Sequence, residues 1–123
     1  MTTIATIEAR MTSQRLPGKV LLPAAGKSML EHLVDRLKIV SSIEKIVLAT
    51  TINNTDDVLV ELAEHLSIDS FRGDENDVMS RVIGAAESVN ANIVVTITGD
   101  CPIIDPKLID AVIGLYEEND LDY

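Results

Sequence analysis

Four short runs of β-branched and aliphatic residues, at positions 3–8, 45–51, 68–71 and 92–98, alternate with segments whose apolar residues recur at helical spacing. Strands separated by helical segments of about 10–15 residues cannot pair through tight hairpins, so the alternation predicts a parallel sheet with right-handed crossovers. The run KIVLATT, apolar almost throughout, suits a strand covered on both faces. We expect the spatial order 3-2-1-4 for the four strands, an α/β, Rossmann-like three-layer sandwich.

The helical segments carry their own punctuation. In KSMLEHLVDRLKIVS, Met29, Leu30, Leu33, Val34, Leu37 and Val40 share a face, and Ser28 with Glu31 forms a capping box. The second helix is expected to start at a cap of Asn54 or Thr55 and to turn Val58, Leu59, Leu62, Ala63 and Leu66 inward. The third turns Val78, Met79, Val82, Ile83 and Ala86 inward, with Gly84 weakening it slightly. Asp105 followed by Pro106 opens the fourth, which buries Leu108, Ile109, Val112, Ile113 and Tyr116. With no Trp, one Phe and two Tyr, the core has to be aliphatic.

The length of 123 residues fits one domain, residues 1–123. Cys101 is the only cysteine, which excludes an intrachain disulfide framework, and no Cys and His spacing suggests structural zinc. No run is apolar and long enough to span a bilayer, and the N-terminus lacks the pattern of a signal peptide. A soluble, cytoplasmic protein is the expectation.

Charge is unevenly placed in a chain of formal net charge −10. Residues 1–45 hold seven Lys or Arg against four Asp or Glu, whereas residues 46–123 hold three against sixteen. An acidic majority repels long polyanions, so nucleic acid and anionic membranes are not expected partners. Yet ARMTSQRLPGKVLL, at 9–22, carries Arg10, Arg15 and Lys19, and no acidic residue occurs between Glu8 and Glu31. Arginine forks, a compact lysine charge and a backbone opened by Gly18 suit a small phosphorylated ligand. The sequence is neither GxxxxGK[ST] nor GxGxxG.

Ligands of such sheets bind beyond the carboxyl ends of the strands where the winding reverses, here between the first and fourth. The basic loop leaves the first strand there and GDCP leaves the fourth, which brings Arg10 and Asp100 to one crevice. Asp100 could hold a divalent metal or merely satisfy turn amides. Arg72 leaves the third strand at the same edge and could reach a base or phosphate, while Asp77 and Arg81 could form an ordinary helix-surface pair. Cys101 is read as a small buried thiol, and His32 and His65 as surface residues. No nucleophilic triad or metal-binding His pair emerges.

ARMTSQRLPGKVL before a helix, TGDCPIIDP after the fourth strand and FRGDENDVMSR between them resemble the cytidylyltransferase family that activates acidic sugars, and within it the spore coat polysaccharide branch. The resemblance runs through the whole chain. It implies the nucleotide-diphospho-sugar transferase fold, and attack of a sugar hydroxyl on the α-phosphate of CTP with Mg2+ required. By similarity Arg10, Ser13, Arg15, Gly18 and Lys19 would hold the nucleotide, with Arg10 and Lys19 acting on the reacting phosphates. Arg72 would lie near base or ribose, and Asp100 would bind the metal. The motif departs at Glu8, where the acylneuraminate and octulosonate enzymes usually have proline. Family members run well beyond this length, so a C-terminally truncated fold, an open sheet edge and self-association, as a homodimer or larger, are expected. The partners implied are CTP and a sugar or sugar acid in surface polysaccharide synthesis. A non-catalytic nucleotide-binding or assembly module is the alternative. A glycosyltransferase fits less well, because Asp100-Cys101-Pro102 is not the DxD that such enzymes use for metal.

Overall fold

The structure, a computed structural model, describes residues 1–123. Thr3–Glu8 forms β1, and Pro23–Ala24 and Lys27–Ser28 form a small hairpin, β2 and β3, before helix α1 at Met29–Leu37. Then follow β4 (Lys45–Thr51), α2 (Asp57–His65), β5 (Asp69–Gly73), α3 (Val78–Ser88), β6 (Ile93–Thr98) and α4 (Pro106–Glu118). Four strands make one parallel sheet in the order β5-β4-β1-β6, the expected 3-2-1-4.

Alternation along the strands sorts the core onto two faces. Ala5, Ile7, Ile46, Leu48 and Ile97 meet α1, α2 and α4 through Leu30, Leu33, Val34, Leu37, Leu59, Ala63, Ile109 and Ile113. Ile4, Val47 and Ala49 meet α3 through Ala85, with Phe71 and Ala86 alongside. The layers are therefore helices, sheet, helix. Ser28 caps α1 by accepting the Glu31 N–H at 3.2 Å, and Asp105 caps α4 by accepting that of Lys107 at 2.9 Å, with Pro106 in the first turn.

Three sequence readings are corrected. In α3, Val78, Met79 and Ile83 are exposed, as are Val58 in α2 and Leu108 and Val112 in α4, because each helix rests on a narrower stripe than its apolar content suggested. Gly84 does more than weaken α3. The Phe71 ring lies so close beneath it that a Cβ there would come within 2.3 Å of a ring carbon, so any other residue would force the ring to shift where α3 seats on β5. Helix α2 has no cap from Asn54 or Thr55; Asn54–Asp56 is a 3-10 turn, and the Asp56 carboxylate leaves the helix for another partner. The β2–β3 hairpin is an element that the sequence pattern does not announce. Its turn residues Ala25 and Gly26 have φ of 50° and 82°, the left-handed pair of a tight two-residue turn.

Candidate nucleotide site

The site is built where β1 and β6 end side by side. Glu8 pairs with Thr98 in register, and the Gly99 N–H donates to the Glu8 carbonyl at 2.9 Å. A Cβ on Gly99 would lie 2.9 Å from that carbonyl oxygen, so glycine is what lets the two chains leave the sheet in contact. From there the basic loop departs on one side and Asp100 on the other.

The loop is pinned at its base. The Met11 carbonyl accepts the Gly18 N–H at 2.8 Å, Gly18 takes a φ of 74°, and Lys19–Leu21 coils into a 3-10 turn that buries Val20 in the core. Residues 12–17 project between these anchors. The result is an open cleft of about 540 Å3 at the carboxyl edge of the sheet. Arg10, Ser13, Arg15, Lys19 and Asp100 all line it, together with Glu8, Glu75 and Arg81. Topology thus brings together five of the seven residues singled out from the sequence. Gly18 shapes the loop from behind.

Arg72 is placed differently. Its Nε donates to the Thr51 carbonyl at 2.8 Å, its Nη2 to that of Asn53 at 2.7 Å, and its Nη1 pairs with Asp57 at 2.8 Å. Those bonds tie β5 to the start of α2, and Arg72 is absent from the cleft lining. Asp77 and Arg81 do not pair either. Asp77 caps α3 by accepting the Ser80 N–H at 3.0 Å, whereas Arg81 is buried and donates from Nη1 to the carbonyls of Asp74 and Glu75 at 3.1 and 3.0 Å. Cys101 is exposed, not buried, because the chain turns outward directly after β6.

The cations face carboxylates across the cleft. Lys19 Nζ lies 2.8 Å from Asp100 Oδ1, and Arg10 Nη1 lies 3.5 Å from Glu75 Oε1. Glu75 also accepts the Thr12 hydroxyl at 3.1 Å. Hydrogen bonds from Asn53 and Thr12, with Arg10 nearby, hold its carboxyl below the ordinary carboxylate range. Neither Glu75 nor Arg81 was read as part of the site. A turn glutamate on the far side of a cleft has no local pattern, and an arginine four residues from an aspartate looks like a surface pair.

As to a metal, the donor set is spare. No cluster of three His, Cys, Asp or Glu exists, and Asp100 offers one half-exposed carboxylate. That suits Mg2+, which keeps several waters and shares its remaining positions with substrate phosphates. Calcium or zinc would demand a fuller cage.

A parallel sheet of this order, with a cationic loop facing Asp100 at its switch point, defines an α/β domain with a polar cleft at the carboxyl ends of its strands. The chain belongs to the cytidylyltransferase family, whose model matches residues 4–123. It is 36% identical over 121 residues to the spore coat polysaccharide biosynthesis protein SpsF of Bacillus subtilis, covering 95% of this chain and 50% of that protein. A cytidylyltransferase structure from Leptospira borgpetersenii superposes with a TM-score of 0.92 at 40% identity, covering 97% of this chain and 50% of the other. A CMP:2-keto-3-deoxy-manno-octonic acid synthetase solved in complex with CTP gives 0.84 at 25% identity, covering 98% and 49%. The chain spans about half the length of the relatives it matches. No helix is long and apolar enough to cross a membrane.

Proposed function

We propose that this chain is the nucleotide-binding part of a cytidylyltransferase that uses CTP and Mg2+ to activate a sugar acid for a surface polysaccharide, releasing pyrophosphate. The observation that carries the reading is the convergence of Arg10, Ser13, Arg15 and Lys19 with Asp100 in one cleft. In the reaction a sugar hydroxyl attacks the α-phosphorus, a P–O bond forms as the bond to the bridging oxygen of the β-phosphate breaks, and the hydroxyl proton is lost to solvent or base. Charge builds on the departing pyrophosphate. Lys19 and Arg10 neutralise it from the loop, and Ser13 and Arg15 hold the phosphates in line, so catalysis consists mainly of positioning and electrostatic stabilisation. Mg2+, when bound at Asp100, would supply Lewis-acid neutralisation of phosphate oxygens. Cytoplasmic location and assembly into dimers belong to the same proposal.

Binding of each of the four ribonucleoside triphosphates, measured by calorimetry with and without Mg2+, tests it, followed by pyrophosphate release with a panel of sugar acids. CTP should bind most tightly. Equal affinity for all four, or none, would refute the cytidylyl reading. Binding of CTP without turnover for any acceptor would favour the non-catalytic module.

A further inference from the structure

Asp56 is the only acidic residue in the chain that is fully buried, and no Lys, Arg or His forms an ion pair with it. It precedes α2 at the position from which an aspartate ordinarily caps its own helix, yet it makes no such bond. Its Oδ1 instead accepts the Met11 N–H at 2.7 Å, and its Oδ2 accepts the Thr51 hydroxyl. The Met11 carbonyl, as described, takes the Gly18 N–H. Met11, at the root of the basic loop, is therefore held through both of its flanking peptide groups, immediately after Arg10 and against Gly18, the residue before Lys19.

Burying a carboxylate is costly unless strong hydrogen bonds satisfy it, and a charge-assisted bond to an amide is about twice as strong as a neutral one. Forgoing the cap gives up a further contribution to α2. Both costs are incurred at the root of the loop that displays the cleft's cations, and Asp56 does not itself line the cleft. We propose that Asp56 is the positioning residue of the anion-binding loop: by fixing the Met11 peptide it presets Arg10 and Lys19 for phosphate, so the ligand need not order the loop as it binds. The ligand side of this inference rests on the nucleotide reading above; the anchoring does not.

Amide hydrogen exchange and calorimetry on Asp56→Ala and Asp56→Asn, well below the melting temperature of each, test it with CTP and inorganic tripolyphosphate as probes. In Asp56→Ala, Met11 and Gly18 should lose at least tenfold protection, and both probes should bind about tenfold more weakly. Asp56→Asn, whose amide oxygen still accepts from Met11, should restore affinity to within about threefold of the parent. If Asp56→Ala does not fold, Asp56→Ser, whose hydroxyl stops one bond short of the carboxylate oxygens, replaces it. A fall in melting temperature with affinity unchanged would mark Asp56 as merely structural and overturn the proposal. Unaltered Met11 protection in Asp56→Ala would overturn it whatever the parent binds. A parent that binds tripolyphosphate but not CTP would refute the nucleotide reading alone, and the tripolyphosphate comparison would still decide on Asp56.

Discussion

Replacing Lys19 with methionine separates what the Lys19–Asp100 pair does for the fold from what it does for a ligand. The pair is short at 2.8 Å, but its side chains are 36% and 59% exposed, so water screens it. Exposed pairs contribute about 0–1 kcal/mol to folding, and methionine keeps most of the aliphatic stem, so the melting temperature should move by only a few degrees. A bound phosphate about 4 Å from the ammonium is another matter. One unit charge at that distance interacts by about 1 kcal/mol in bulk water and about 4 kcal/mol near a protein surface. Loss of Lys19 should therefore weaken CTP about fivefold to several hundredfold, most strongly at low salt. Calorimetric titration at two ionic strengths, beside a thermal melt, reads both quantities. Affinity within twofold of the parent at low salt would refute the assignment of Lys19 to the phosphates. A large loss of stability would show that the pair is structural.

Asp100→Asn should leave folding nearly unchanged and abolish any gain in CTP affinity on adding Mg2+; a gain of undiminished size would remove Asp100 as the metal ligand. Gly84→Ala should destabilise by about 1–3 kcal/mol despite alanine's better helix propensity, since the new methyl overlaps the Phe71 ring; recovery in a Phe71→Leu background, followed by denaturant unfolding, checks the cause. The Glu75 carboxyl lies below its ordinary value in the folded chain, so its contribution to stability is complete above the unfolded-state value and is lost as pH falls through the lower folded one. Glu75→Gln should accordingly flatten part of the acid limb of a stability-against-pH profile, and an unchanged limb would show that Glu75 is not coupled to folding.

Some of this was legible in the residues because it depends on local chemistry. The Ser28 and Asp105 caps are legible in the sequence, since a side chain answering an amide two or three residues away needs only the adjacent residues. The parallel sheet follows from the alternation of strands with helices, and the meeting of Arg10 with Asp100 from the switch point of the 3-2-1-4 order, rules that act on chain connectivity alone. Where contact depends on the exact seat of a helix, reading failed. Phe71 beneath Gly84 and the burial of Arg81 both depend on where α3 rests on the sheet.

By itself, then, the sequence determined the parallel α/β sheet, its winding, and a cationic loop set against a carboxylate at the switch point, because periodicity and caps are properties of neighbouring residues and crossover handedness is one of chain connectivity. Only the tertiary structure decided the fate of groups whose partners lie far along the chain. Arg72 was drawn into bonds with Thr51, Asn53 and Asp57 and away from the cleft lining, while Asp56 was turned from its own helix to Met11, 45 residues distant. A buried donor or acceptor takes whichever partner the packing brings within reach, and that packing is set by the whole fold at once.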